Sequence, residues 1–461
     1  MIIESERLIL RYWNEDDAAV CYEYCKDPKV GPIAGWPPHK DIEESLYIIR
    51  NVLTAPDNFA ITLKQSGTVI GNVGLKYDDL ACDDKENSTE IGFWLGVPHW
   101  GKGYMTEAVK AIIEYIFEDL HKETIWCGYY DGNDRSRHVQ QKCGFKYQWT
   151  TPDVDVPLMN EKRTGHVNKL TRDEWLEEGG GRHARLYDTN KYRLAEAPFY
   201  DERYDRISWV DIIDGKFYTK QGSDESVCFD AGQKIGAAIP LKNTKGYVLA
   251  CQDGLYTYEN GKLTKTVDLK SYYESYQRSN DAKADPDGRI FFGSSVEGDH
   301  SPCGNLYSYF EGAVKVQQAN TKISNGMAWS HDKTKFYFSD SLEHAVFVYD
   351  RDLVTGDITN RKVLFEINDG VPDGLCIDEN GNLWVAVWDG KRIECRSHKD
   401  GKLLDVIRLD ARRVTSCCFM GKDLDTLFIT SSGEDLEGES DGRLFICKPG
   451  VKGVICDKAT I

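Results

Sequence analysis

The stretch Leu95 to Ala108, LGVPHWGKGYMTEA, decides how the N-terminal part of the chain is read. A short apolar strand, Ile91 to Leu95, follows Thr89-Glu90, which interrupt the apolar run. It enters a loop holding Gly101 and Gly103, and the periodicity predicts a helix from about Met105 to Phe117. Such a loop presents bare N–H groups ahead of a helix N-terminus, where the helix dipole favours negative charge. Glycine suits it because a Cβ would block approach to a pyrophosphate, and because anion-binding nests use positive φ. Lys102 adds a cation at the rim. Alone, the same glycine pair also fits an ordinary tight turn.

Working outward, Trp126 to Tyr130 reads as a strand entering Asn133-Asp134-Arg135-Ser136, a helix, then Cys143-Gly144-Phe145. Upstream, residues 5–12 alternate as a strand, and Asn14-Glu15-Asp16-Asp17 caps a helix running to about Tyr24. Ile42 to Ala55 has helical periodicity, and Phe59–Leu63 with Val69–Leu75 reads as a hairpin. This order predicts an α/β domain with a mixed central sheet and flanking helices.

These residues resemble the GNAT acetyltransferases, in particular the RimJ/RimL-like branch that acetylates amino groups. The resemblance runs from Arg7-Leu8-Ile9-Leu10-Arg11 through Gly35-Trp36-Pro37-Pro38-His39 to about Trp175. It implies acetyl-CoA as cofactor and an amine acceptor, either a protein N-terminus or a small molecule. Leu95 and Val97 fall on the pantetheine-binding edge it implies, and Trp100, Gly101, Lys102, Gly103, Tyr104, Met105 and Asn133 complete the cofactor set. Acetyl transfer needs a neutral amine, donors for the oxyanion and a proton for the thiolate. Glu90 is the candidate base and Ser136 the candidate group at the thiolate; each also fits as a solvated strand carboxylate or a first-turn helix residue. Many members carry a tyrosine seven residues after the asparagine, where this chain has Gln140, so the proton donor stays open. The Gly35–His39 loop falls where the branch has its acceptor site.

At 461 residues the chain has room for two or three domains. No window approaches a transmembrane span, and MIIESERLIL lacks signal-peptide features, so a cytoplasmic protein is expected. A net charge of −18 argues against nucleic-acid or anionic-membrane partners, which demand a basic face, but not against an anionic cofactor in a local nest. The 14 cysteines show no C-x-x-C; they read as buried reduced thiols rather than a zinc site. Gly179-Gly180-Gly181 follows Glu177-Glu178, and apolar patterning stops over 177–189, which reads as a flexible linker.

From Arg193 onward a repeated unit takes over: an aromatic or β-branched strand, a Gly/Asp/Ser turn and another strand. Units begin near Ile207, Tyr247, Arg289, Lys335, Asn382 and Thr426. Their spacing of about 40–47 residues is that of propeller blades, and six units predict a six-bladed β-propeller. The segment near Tyr187 is a candidate to close the ring with the last blade. Glu196, Arg278-Ser279-Asn280-Asp281, Asn325 and Asp373 recur at comparable points of successive blades. Two carboxylates and a carboxamide converging on one axis make a hard oxygen site for a divalent cation. Each alone also fits an ordinary turn or loop position.

The same residues resemble the senescence-marker-protein/gluconolactonase family, of which regucalcin is a member, over about Leu194 to Val454. Pro372-Asp373-Gly374, Leu383-Trp384-Val385-Ala386 and Thr415-Ser416-Cys417-Cys418-Phe419 carry the match. It implies that Glu196, Asn325 and Asp373 hold one divalent cation (Zn²⁺, Ca²⁺, Mn²⁺ or Mg²⁺) and that Arg278 and Asn280 face a small lactone. Its further substrate-facing acid has no exact counterpart; Glu297 is the near candidate. Ala195, Ala197, Ser279 and Ala282 depart from the family's usual residues. The implied chemistry is lactone hydrolysis with Asp373 as base.

The expectation is a multidomain chain: an acetyltransferase domain over 1–176, the linker over 177–189 and a propeller over 190–461. Functionally it is a bifunctional N-acetyltransferase and metal-dependent lactonase. The alternative is a propeller that is a non-catalytic metal- or ligand-binding module, or a transferase domain that only holds CoA.

Overall fold

In the first unit the alternation of Leu8 and Leu10 sets a strand with one face in the core. The computed structural model describes residues 2–76, 84, 86–178, 180–298, 300–301 and 303–461. The chain divides into two units, 1–181 and 182–461. The first contains β1 (Ile2–Glu4), β2 (Leu8–Tyr12), α1 (Ala18–Cys25), α2 (Gly31–Ala34), α3 (Ile42–Ile48), β3 (Asn58–Leu63), β4 (Val69–Lys76) and β5 (Ser88–Leu95). It continues with α4 (Tyr104–Glu118), β6 (Thr124–Tyr130), α5 (Asp134–Lys142), β7 (Lys146–Val156), β8 (Glu161–Thr171) and α6 (Arg172–Glu177). The sheet order is β1-β2-β3-β4-β5-β6-β8-β7, and β5/β6 is its parallel pair.

β5 starts earlier than the sequence pattern suggests. Thr89 and Glu90 are buried strand residues opposite Ile125 and Trp126 of β6, not an interruption before the strand. α4 turns Ala108, Val109, Ile112, Ile113 and Ile116 into the core at helical spacing. Gly101 and Gly103 have φ of 73° and 80°, as a nest before a helix requires, and Gly103 is the N-cap of α4. Arg7 braces this turn: its Nε donates to Glu107 Oε2 at 2.7 Å and its Nη1 to the Lys102 carbonyl at 3.1 Å.

The second unit is a ring of six sheets. The first strands of its blades are Ala195–Asp201, Ile235–Pro240, Gln277–Ala284, Ser324–Trp329, Val371–Ile377 and Arg413–Met420. Each first strand packs on the next, and the sixth returns to the first, with Thr415 Oγ1 donating to the Ala195 carbonyl at 2.6 Å. The units visible in the sequence begin at the second strands, which carry the aromatic residues of the core between blades.

Within the stretch expected to be a linker, Arg182–His183 and Arg185–Leu186 are strands of the ring. Arg185–Leu186 pairs antiparallel with Phe445–Cys447 as the outer strand of the sixth blade. Arg182–His183 adds a parallel fifth strand to the blade that starts at Val371. Pairing across the ring supplies the ordering that the local glycine-rich composition does not. Among the described residues no helix is long and apolar enough to cross a membrane.

Candidate functional sites

In the first unit β5 and β6 hydrogen-bond only over Ser88–Glu90 and Thr124–Trp126, although both strands run on. A cavity of about 940 Å³ is lined by both continuations, with Glu90 where the pairing ends. Glu90 is 9% exposed, and Lys76 Nζ lies 3.3 Å from its Oε1. A second cavity of about 280 Å³ is lined by Leu95, Trp100, Gly101, Gly103, Tyr104 and Met105. The two cavities share Asn133 and Ser136 in their walls.

Not every expected cofactor residue lies on these walls. Val97 and Lys102 line neither cavity. The Leu95 carbonyl accepts Trp100 Nε1–H at 2.7 Å, and the Gly96 N–H donates to the Ile70 carbonyl at 2.9 Å. The positive fringe of the smaller cavity comes instead from Lys29, Arg135 and Lys142, with the Arg135 guanidinium 3.9 Å from the Trp100 ring centroid. Arg135, His138 and Lys142 are spaced to share one face of α5.

Asn133 caps α5, its Oδ1 accepting the Ser136 N–H at 3.3 Å. Gln140, where the family usually has tyrosine, is fully buried. Its Nε2 donates to Ser136 Oγ at 3.0 Å and its Oε1 accepts from Asn168 Nδ2 at 2.7 Å. Because Gln140 donates to that oxygen, the Ser136 hydroxyl proton is left to point elsewhere. Trp36, Pro37 and His39 of the Gly35–His39 loop line the larger cavity. So does His166, whose partner Tyr129 faces it across β6 and β8; that pairing register is not readable from local sequence.

In the second unit the predicted polar residues sit at one recurrent irregularity. The pairing of the first and second strands slips between Glu196 and Phe199, Ser279 and Ala282, Ser324 and Met327, and Pro372 and Leu375. A bulge re-aims the side chain it carries. Glycine at some of these bulges lets neighbouring first strands approach: a Cβ on Gly326 would stand 2.5 Å from the Asp373 carbonyl oxygen. One on Gly236 would stand 1.9 Å from that of Asn280.

The bulged residues connect between blades. Arg278 Nη1 donates to Asn280 Oδ1 at 2.7 Å, Asn280 Nδ2 to Asn325 Oδ1 at 2.7 Å, and Asn325 Nδ2 to Ser341 Oγ at 2.7 Å. Ser341 in turn donates to the Pro372 carbonyl, beside Asp373, at 2.7 Å. This chain of donors fixes the Asn325 amide with its oxygen toward Asn280. Glu297 sits 3.3 Å from Arg278 Nε and also pairs with Lys234.

Glu196 and Asp373 are buried, and among the described residues neither makes an ion pair with a basic side chain. Burial pushes the Glu196 carboxyl up, reinforced by the charge of Asp281. Burial pushes Asp373 well above the usual carboxylate range, reinforced by Glu196 and then Asp281. Burial likewise raises Asp281, with Lys283 opposing. Acids that repel one another in a dry site, next to a carboxamide oxygen, are a donor set that a hard divalent cation fits.

A six-bladed ring with buried acids at the bulges of its first strands, joined to a sheet opened beside a helix-capping glycine loop, defines two protein classes in one chain. Residues 194–433, more than half the chain, match the family model described as "SMP-30/Gluconolactonase/LRE-like region", and residues 7–146 match "Acetyltransferase (GNAT) domain". The chain belongs to the SMP-30/gluconolactonase family and carries a GNAT acetyltransferase domain.

Among curated relatives, it is similar to regucalcin of Gallus gallus, 31% identical over 286 residues covering 58% of this chain and 94% of the relative. Regucalcin of Homo sapiens is 34% identical, with 57% and 93% covered. Among solved structures, a luciferin-regenerating enzyme superposes with a TM-score of 0.58 at 30% identity, over 61% of this chain and all of the other.

Proposed function

We propose that the chain is a bifunctional enzyme: an acetyl-CoA-dependent N-acetyltransferase and a divalent-cation-dependent sugar-lactone hydrolase. The lactonase reading is carried by the buried carboxyls of Glu196 and Asp373: Glu196 raises the proton affinity of Asp373, and neither pairs with a basic side chain among the described residues. A Bacillus subtilis protein with a provisional sugar lactone lactonase name, 32% identical over 257 residues, supports the same substrate class.

In this reading Glu196, Asn325 and Asp373 hold the cation, which when bound supplies Lewis-acid polarisation of the lactone carbonyl. Arg278 and Asn280 orient the ring, and Glu297 holds the guanidinium of Arg278. Asp373 accepts a proton from the attacking water and returns it to the leaving alkoxide. The test is hydrolysis of sugar δ-lactones by the intact chain with Zn²⁺, Mn²⁺, Ca²⁺ or Mg²⁺ and after chelation. A cation-dependent rate lost in Asp373→Ala supports hydrolysis, and lactone binding without turnover refutes it.

In the transferase the nest at Gly101–Gly103, with Arg135 and Lys142 beside it, binds the phosphates of acetyl-CoA. Glu90 takes a proton from the ammonium of the acceptor, directly or through water; Ser136, held by Gln140, gives its proton to the departing thiolate and regains one from the acceptor nitrogen, which loses its second proton as the amide forms. An amine panel assayed for CoA release tests this; acetyl-CoA binding with no acceptor acetylated would overturn it.

A further inference from the structure

We propose that Cys21, Cys25 and His39 form a zinc site in the wall of the transferase cavity. The sequence spacing gave no zinc signature, because the cysteines are one helical turn apart on α1 while the histidine arrives from the loop after α2. Folding brings them together: the three ligand atoms lie within 4.8 Å of one another, and among the described residues this is the one group of three or more His, Cys or acidic side chains so arranged.

Three features favour a metal over an incidental thiol pair. Two sulfurs held at about 2.3 Å from a tetrahedral Zn²⁺ stand about 3.8 Å apart. The Cys21 and Cys25 sulfurs are 3.8 Å apart. Cys376 and Cys417 are also close, at 3.6 Å, but no histidine or carboxylate joins them. Next, the histidine is fixed in place beside the thiols: its Nδ1 is 2.8 Å from the Oγ of fully buried Ser45, and its backbone N–H donates to the Cys25 carbonyl at 3.1 Å. Finally, both sulfurs are removed from bulk water, at 0% and 1% exposure, in a pocket walled by Trp13, Ile49 and Leu53.

The three ligands leave one tetrahedral position. Cys25 and His39 both line the 940 Å³ cavity, so a water or a donor atom of a molecule bound there completes the shell. The bond from α1 to His39 ties down the loop that carries Trp36 and Pro37 into the same cavity. The proposal rests on this constellation alone and stands whether or not the domain acetylates amines.

The test is a Co²⁺ titration of the intact, reduced and chelator-stripped chain under anaerobic conditions. A near-ultraviolet thiolate-to-cobalt charge-transfer band that saturates and is displaced by Zn²⁺ is expected, with saturation at one equivalent once Asp373→Ala has removed the propeller site. It should vanish in Cys21→Ser and Cys25→Ser and persist in Asp373→Ala, since oxygen ligands give no such band. His39→Ala keeps both sulfurs and should weaken Co²⁺ binding, because one of the three protein ligands is lost. Absence of the band in the wild-type chain, or its survival undiminished in both serine variants, overturns the site.

Discussion

Gln140 shows what a single replacement does to a reaction scheme. An amide cannot supply the proton that a tyrosine would, but it donates to Ser136 Oγ and thereby turns that hydroxyl outward as a donor. Ser136→Ala is expected to lower kcat for acetyl transfer by about 10²-fold with KM little changed, and Glu90→Gln by at least as much, in steady-state assays of CoA release. Gln140→Leu leaves buried Asn168 Nδ2 without its acceptor, so it should cost about 1–3 kcal/mol in urea unfolding as well as slow turnover. Both Glu90 and Ser136 line the larger cavity; the helix pattern after β6 made the place of Ser136 legible, whereas the apolar pattern put Glu90 ahead of β5 rather than in it. Gln140 was legible only as a departure. His166 was not legible at all, since it reaches the cavity through long-range pairing of β8 with β6.

At the scale of the blade, the bulge in each first strand determines where a carboxylate points. Gly326→Ala would put a methyl group against the Asp373 backbone, which cannot yield as a flexible side chain would. About 1–3 kcal/mol of destabilisation is expected, with a loss of cation-dependent lactonase activity larger than the stability change explains. The measurement is thermal unfolding beside a cation titration of the rate. A second device is the turn at Ser330–Thr334, where Asp332 Oδ1 accepts from Ser330 Oγ at 2.6 Å and from Thr334 N–H at 3.0 Å.

The hydrogen bond from Ser330 and those from Thr334 lower the Asp332 pKa from 3.8 to about 2. A carboxyl depressed in the folded state contributes stability that is full above its unfolded pKa and disappears as pH falls through the folded one. The stability difference between the parent chain and Asp332→Asn should therefore be constant above about pH 5 and shrink between pH 4 and 2, as read by chemical unfolding at each pH. The repeat itself was plain in the sequence, because aromatic second strands recur at a fixed period. The slipped register was not, because a bulge is set by contact with the next blade.

Over the whole second unit, closure depends on a strand that precedes the first blade. Arg185–Leu186 completes the sheet of the sixth blade, so a chain beginning at residue 190 should lose cooperativity and unfold at lower temperature than one beginning at residue 182. Calorimetry of the two forms checks it; equal transitions would mean the outer strand contributes nothing. The glycine run pointed to a boundary, but composition cannot reveal that the residues just after it pair with partners at the far end of the sequence.

That arrangement has a temporal consequence. The ribosome makes Leu186 long before Phe445, its partner, and at about 5–20 residues per second the earlier segment waits on the order of 10–50 s for it. During that interval the nascent ring has an open seam, with unpaired backbone groups at both lips. Whatever guards the growing chain must guard that seam until the last blade emerges.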